Sequence, residues 1–171
     1  QYLEDFPKPI VSAVHGVCYG LGLEITLACQ GRISSDDSRT KFGLPEVKLG
    51  ILPAGGGTQR LPRLIGASAA LDMMLTGKNI FAKKALRMGL VDEVVNQSKL
   101  LIAACSMVKK LKDNPLKRKR KQTLMNRFLD HTSLGNRLVF SQARKTIQKM
   151  TKGHYPAPLA IIDCVETGLK K

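Results

Sequence analysis

Gly16–Glu24 reads GVCYGLGLE, and how this stretch is read decides the fold. Ile10–Val14 leads into it, short and rich in β-branched residues, and predicts a buried strand. Leu23–Gln30 leads out of it, apolar around much of its circumference, and predicts a central helix. Between them Gly16, Gly20 and Gly22 let the backbone turn tightly, and Glu24 sits in the first helical turn. A strand end of this kind presents backbone N–H groups to a ligand. Two readings follow. The glycines form an oxyanion hole, whose fixed donors stabilise negative charge developing on a carbonyl oxygen, or they form only a strand-to-helix turn. A dinucleotide fingerprint is excluded, because the GxGxxG spacing is not met.

Upstream, Pro9 disfavours a central strand, so the strand begins after it. The chain opens QYLEDFPKP without an initiator Met, which reads as part of a longer polypeptide. Downstream, strands are expected over Arg32–Ser34 and Lys41–Gly43, and Pro45 fixes the backbone directly before Glu46. Gly50–Gly66 holds five glycines in 17 residues. It reads as a tight loop at Ala54–Gly57, then a helix over Thr58–Ile65 with Thr58 as N-cap. This second glycine loop leading into a helix offers another set of backbone donors. Further helices are expected over Ser68–Thr76, capped by Ser68 and stopped by Gly77, and over Ala82–Met88, stopped by Gly89. Leu90–Val95 reads as a strand. After it the pattern is helical: Ser98–Leu111, Leu116–Phe128, Leu138–Met150, and Leu159–Thr167 ended by Gly168, with Gly153–Pro158 as a connector.

The 171 residues suffice for one domain with a core. The formal charge of +15 implies an anionic partner, and Lys109–Lys121 holds eight of the 28 basic residues. The run Leu116–Lys121 (LKRKRK) could hold RNA, anionic lipid or cofactor phosphates, or be a solvated helix face; with no aromatic residue interleaved, base stacking has little support. Cys18, Cys29, Cys105 and Cys164 lack metal-ligand spacing and read as small buried apolar residues. His15, His131 and His154 share no motif with a nucleophile and read as structural. Two acids stand apart. Glu24 and Glu46 each follow a residue that fixes the backbone, and each sits among apolar neighbours in sequence. Paired carboxylates in such surroundings suit acid/base work; a charge favoured by a helix dipole and a surface turn acid are the plain alternatives.

The blocks KPIVSAVHGVCYGLGLEITLACQGRI, FGLPEVKLGILPAGGGTQRLPRLIG and ALDMMLTGKNIFAKKALRMGLVDEVV resemble the crotonase (enoyl-CoA hydratase/isomerase) family over roughly residues 8–96. The tail TKGHYPAPLAIIDCVETGLKK is similar to the segment that joins the hydratase part to a 3-hydroxyacyl-CoA dehydrogenase part in multifunctional fatty-acid oxidation complex alpha subunits. The resemblance implies an α/β fold: the later part of a crotonase-like spiral of β-β-α turns, followed by C-terminal helices. It implies a hydratase/isomerase core over 1–107 and, over 108–171, a basic helical region leading toward a dehydrogenase part. It implies that Glu24 and Glu46 hold a water and add it across the double bond of a 2-enoyl-CoA, and that the enzyme also shifts a double bond from the 3 to the 2 position. Gly20, Gly22, Pro45 and Gly55 would line the substrate. The backbone N–H of Leu21 would serve the oxyanion hole, with Leu21 standing where the family has the middle glycine of a GGG run. Its Cβ and its loss of positive-φ freedom are expected to hinder close approach of the thioester. A second donor would come from a segment before Lys8. No metal is implied, and no cofactor besides the CoA thioester, which is substrate; any NAD site would lie in the dehydrogenase part. The implied partners are acyl-CoA, a thiolase beta subunit and further copies in an oligomer, in a bacterial cytoplasm or alternatively a mitochondrial matrix. The competing reading is an inactive crotonase-like scaffold that binds RNA or membrane through its basic helices.

Overall fold

The computed structural model describes residues 2–113 and 132–170. In chain order come β1 (Val11–Val14), β2 (Val17–Tyr19), α1 (Leu21–Ala28), β3 (Gly31–Ser35), β4 (Lys41–Gly43) and a 3-10 helix (Pro45–Leu49). Then follow α2 (Gly57–Ile65), α3 (Ala67–Thr76), β5 (Ile80–Phe81), α4 (Ala82–Met88), β6 (Glu93–Val95), a second 3-10 helix (Gln97–Lys99), α5 (Leu100–Asp113), α6 (Ser133–Thr151) and α7 (Pro156–Leu169). The helix expected over Leu116–Phe128 and the run Leu116–Lys121 lie outside the described residues. The chain forms two compact units. One runs to Gly43 and resumes at Asn79; the other takes Leu44–Lys78 and the helices beyond residue 131.

In the first unit, β1, β3 and β6 form a parallel sheet with β3 at its centre. All five residues of β3 are buried, as a parallel strand covered on both faces requires. Leu100, Ala104 and Met107 of α5 pack on Ile33, with Val11, Val95 and Leu111 at the margin. A second sheet has the order β2-β4-β5, with β2 parallel and β5 antiparallel to β4. Strand β2 corrects the expectation of a single turn over Gly16–Glu24. Val17, Cys18 and Tyr19 pair with Lys41, Phe42 and Gly43, and the turning is confined to Gly16 (φ 80) and Gly20 (φ 54) on either side.

Arg32 points out of β3 into the interior and is only 1% exposed. Its Nε donates to the carbonyl of Leu90 at 2.9 Å and its Nη1 to that of Cys29 at 3.0 Å. Asp92 pairs with its Nη2 at 3.4 Å and accepts its backbone N–H at 2.9 Å. The N–H groups of Leu90 and Val91 bond to the carbonyl of Ala85 in α4, so the expected strand Leu90–Val95 shortens to β6.

In the second unit, α2 packs on α3 and α7, and α7 also meets α3 and α6. The expected caps Thr58 and Ser68 are displaced. Gly56 (φ 102) and Gly66 (φ 93) occupy the N-cap positions, so each helix starts one residue earlier and neither has a side-chain cap bond. Gly77 and Gly89 end α3 and α4 in left-handed conformation, as expected. Gly168 does not stop α7. It lies inside the helix, where Gln59 fills the space a side chain would take, and its carbonyl accepts from Arg63. Arg144 of α6 bridges Asp163 and Glu166 of α7 at 2.6 and 2.5 Å. Lys170 and Arg144 together hold the Glu166 carboxyl below its ordinary range.

Candidate active site

Gly20 sets the geometry of the stretch GVCYGLGLE. At φ 54 and ψ −129 it adopts a conformation that disfavours any β-carbon. Its N–H donates to the carbonyl of Gly43 at 3.1 Å, and its own carbonyl accepts the N–H of Glu24 at 3.0 Å, closing the first turn of α1. The N–H groups of Leu21, Gly22 and Leu23 therefore stand at the helix start, where no carbonyl of the same helix can reach them and the partial charge of the helix end is positive. Leu21 is the first helical residue and is not among the positive-φ residues. The expected penalty for losing glycine at Leu21 thus does not arise in the backbone; the position that needs glycine is Gly20. The Leu21 side chain is 62% exposed. A β-carbon on Gly22 would meet nothing within 4 Å. Glu24, in the same turn, is 3% exposed, with its charge at the favourable end of the helix.

Pro45, Glu46 and Gly55 belong to the second unit. Pro45 opens the 3-10 helix, where its missing N–H costs nothing. Glu46 follows, half-buried, with its Oε2 sealed from solvent. Gly50, at φ 76, donates to the carbonyls of Glu46 and Val47 and ends the helix. Gly55 lies exposed in the turn before α2, its carbonyl accepting from Arg60 Nη1 at 2.8 Å. The sequence-derived residues thus fall into two groups: Gly20, Leu21, Gly22 and Glu24 at the start of α1, and Pro45, Glu46 and Gly55 around the 3-10 helix and the α2 loop.

Of the remaining chemistry-bearing residues, His131 lies outside the described residues. His15 Nδ1 lies 3.0 Å from Ser35 Oγ, and Ser35 lies 2.6 Å from Thr40 Oγ1, which accepts the N–H of Gly16. With Ser35 and Thr40 fully buried, this network anchors the start of the stretch. Cys18 and Cys29 are buried, and burial pushes both thiols above their ordinary range. Cys105 and Cys164 depart from the uniform expectation for the cysteines: Cys164 is half-buried, and Cys105 is exposed, on the face of α5 that also carries exposed Leu101 and Ile102. Among the described residues no three His, Cys, Asp or Glu side chains group so as to hold a metal ion, and no helix is long and apolar enough to cross a membrane. A hollow of about 420 Å³ at the ends of β3 and β6 is lined by Asp36, Asp37, Asn96, Gln97 and Ser98, none of them a residue singled out above.

The profile of the enoyl-CoA hydratase/isomerase family matches residues 1–155. The chain belongs to the enoyl-CoA hydratase/isomerase family. Among curated relatives of this enoyl-CoA hydratase/isomerase chain, the fatty acid oxidation complex subunit alpha of Shewanella baltica (strain OS155) is 53% identical over 169 residues, covering 99% of the chain and 24% of that protein. The subunit of the same name from Shewanella amazonensis is 52% identical over 169 residues, with the same coverage. The chain spans about a quarter of the length of the curated relatives it matches. Among solved structures, an enoyl-CoA hydratase from Bacillus anthracis is 40% identical with a TM-score of 0.61, covering 66% of this chain and 43% of that one. One from Geobacillus kaustophilus is 32% identical with a TM-score of 0.60, covering 98% and 54%. The expected α/β, crotonase-type architecture is therefore the fold of this family member.

Two features of the family member had no sequence signal. The Arg32–Asp92 pair links residues 60 apart. Tyr155, in the stretch read as a connector, donates its hydroxyl to the carbonyl of Val47, 108 residues away. A lone tyrosine among prolines and glycines carries no pattern that announces such a partner.

Proposed function

We propose that this chain is the later part of an enoyl-CoA hydratase, with double-bond isomerase activity, in a multifunctional β-oxidation protein. The observation that carries the reading is Glu24. It is a fully buried carboxylate in the first turn of a helix whose N-terminal donors begin at Leu21, within a chain of the enoyl-CoA hydratase/isomerase family. In the proposed reaction, one of the carboxylates Glu24 and Glu46 takes a proton from water as the water oxygen bonds to C3 of a 2-enoyl thioester. The double-bond electrons move toward the thioester, and the charge reaching its oxygen is stabilised by backbone donors, the Leu21 N–H among them. The other carboxyl then delivers a proton to C2. No metal and no redox cofactor takes part; the CoA thioester is the substrate. Gly20, Gly22, Pro45 and Gly55 would line its path. In the same reading, residues 1–107 form the hydratase core and 108–171 lead toward a dehydrogenase part that holds any NAD. The whole acts in a bacterial cytoplasm as an oligomer with a thiolase beta subunit.

The test is hydration of crotonyl-CoA by the full-length natural protein, followed as loss of enoyl absorbance. Glu24→Gln and Glu46→Gln are each expected to lower kcat by at least about 10²-fold, the usual range for a lost acid/base group. Circular dichroism should remain native. Near-full activity in either variant refutes the assignment of that carboxylate.

A further inference from the structure

We propose that Tyr155 is a positioning residue for Glu46. The inference rests on the reading of Glu46 as catalytic and names what holds it in place. Glu46 sits on a 3-10 helix of five residues. Such helices have poor hydrogen-bond geometry and seldom persist unaided. A carboxylate that must meet a reacting atom needs better than that, so the fixing must come from outside.

It comes from both ends of the helix. At the Pro45 end, Gly77 lies against it: a β-carbon built on Gly77 would stand 3.1 Å from the Pro45 Cα. At the far end, the Val47 carbonyl carries two bonds. Its internal donor is the Gly50 N–H, at 3.1 Å. The other donor is the Tyr155 hydroxyl. The Tyr155 ring covers Gly50, where a β-carbon would lie 3.6 Å from Cε2 and 3.7 Å from Oη. The bond is partly buried, and without the Tyr155 hydroxyl the Val47 carbonyl keeps the Gly50 N–H.

Tyr155 is itself firmly placed. It stands at the N-cap of α7, with extended backbone (φ −130, ψ 95) imposed by the following Pro156. Helix α7 is held on α2, where Gln59 Nε2 donates to the carbonyl of Cys164 at 3.0 Å and Arg63 donates to that of Gly168. The chain of contacts runs from α2 to α7, to Tyr155, to Val47, and so to the residue beside the carboxylate. Residues 152–155 thus connect α6 to α7, and Tyr155 at their end also serves as a brace.

Tyr155→Phe in the full-length natural protein tests this, because it keeps the ring over Gly50 and removes only the O–H donor. A roughly ten- to a hundredfold fall in kcat for crotonyl-CoA hydration is expected, since a displacement of about 1 Å costs that order. KM should stay within about twofold, with an unchanged thermal midpoint and a shifted pH profile of kcat/KM. Amide exchange at Gly50 and Ile51, whose N–H groups bond to the carbonyls of Val47 and Glu46, should quicken while α2 and α3 keep their protection. Glu46→Gln is measured alongside. If Glu46→Gln is inactive and Tyr155→Phe keeps wild-type kcat and exchange, the positioning role is wrong and the reading of Glu46 stands. If Glu46→Gln remains active, both fall. A loss of kcat accompanied by a lowered midpoint and general exchange marks Tyr155 as structural only, and overturns the proposal.

Discussion

Replacing Asp92 with alanine should be among the most damaging single changes in the first unit, and its cost can be worked from the geometry. The substitution removes the carboxylate 3.4 Å from Arg32 Nη2 and the acceptor of the Arg32 N–H. The guanidinium keeps the carbonyls of Leu90 and Cys29, which accept from its Nε and Nη1 without offsetting its charge. At 3.4 Å the Coulomb term is about 5 kcal/mol for an effective dielectric of about 20. Breaking a buried pair from one side costs about 3–5 kcal/mol in practice. The Asp92 side chain is 12% exposed, so screening favours the lower figure, about 3 kcal/mol. That is a fifth or more of an ordinary stability of about 5–15 kcal/mol. Asp92→Asn, which keeps an acceptor and loses the charge, should cost about 2 kcal/mol. Urea unfolding followed by circular dichroism measures both, with an unchanged m-value showing that only stability moved. In a cycle with Arg32→Met, the coupling energy should be about 2–3 kcal/mol. If Asp92→Ala stays within about 1 kcal/mol of wild type, the guanidinium is sufficiently served by the two carbonyls, and the pair is not what holds β3 to the turn before β6.

Two further expectations follow from the same unit. Gly20→Ala should cost about 1–3 kcal/mol through backbone strain and lower kcat by about 10²-fold or more as the Leu21 donor swings away, whereas Gly22→Ala, with open space around it, should gain up to about 1 kcal/mol. Thermal midpoints and crotonyl-CoA kinetics compare the two, and equal effects would refute the assignment of the glycine requirement to Gly20. Maleimide labelling read by mass spectrometry should modify Cys105 first; Cys18 and Cys29, protonated well past neutral pH by their burial, should react only as the chain unfolds, and labelling of either at the rate of Cys105 refutes their placement.

Signals carried by neighbouring residues were legible in the sequence. The alternation of strand and helix, and the stops at Gly77 and Gly89, depend on residues next to one another and appear where expected. What depends on distant partners did not. Strands β2 and β5 have three and two residues, too few to show a period, and exist because β4 pairs with both. Thr58 and Ser68 are chemically good caps, yet Gly56 and Gly66 already supply the turn, and the helices begin before the hydroxyls are reached. Gly168 looks like a stop in sequence; buried against Gln59, it serves packing instead. The turn at Gly20 and the helix-start position of Glu24 were recognisable in the sequence; their assignment to a site rested on the family resemblance. The conformation at Leu21 was not recognisable, because only the position of the helix start shows that this residue adopts ordinary backbone angles. Tyr155 was invisible for the same reason as Asp92: its partner is far along the chain.

The two compact units are interleaved along the polypeptide, since the first is interrupted at Gly43 and resumes at Asn79, and the second takes up the intervening segment and then waits for the helices beyond residue 131. A ribosome emitting these residues therefore cannot finish the first unit before the segment that resumes at Asn79, nor the second before the helices beyond residue 131. The strand β3 has neither β6 nor α5 to cover it when it first emerges, and the 3-10 helix bearing Glu46 is complete some hundred residues before the tyrosine that braces it, a separation of 108 positions from Val47. During that interval the nascent chain depends on whatever shields apolar surface in the cell. The helices beyond residue 131 thus complete a unit that Leu44–Lys78 can only begin.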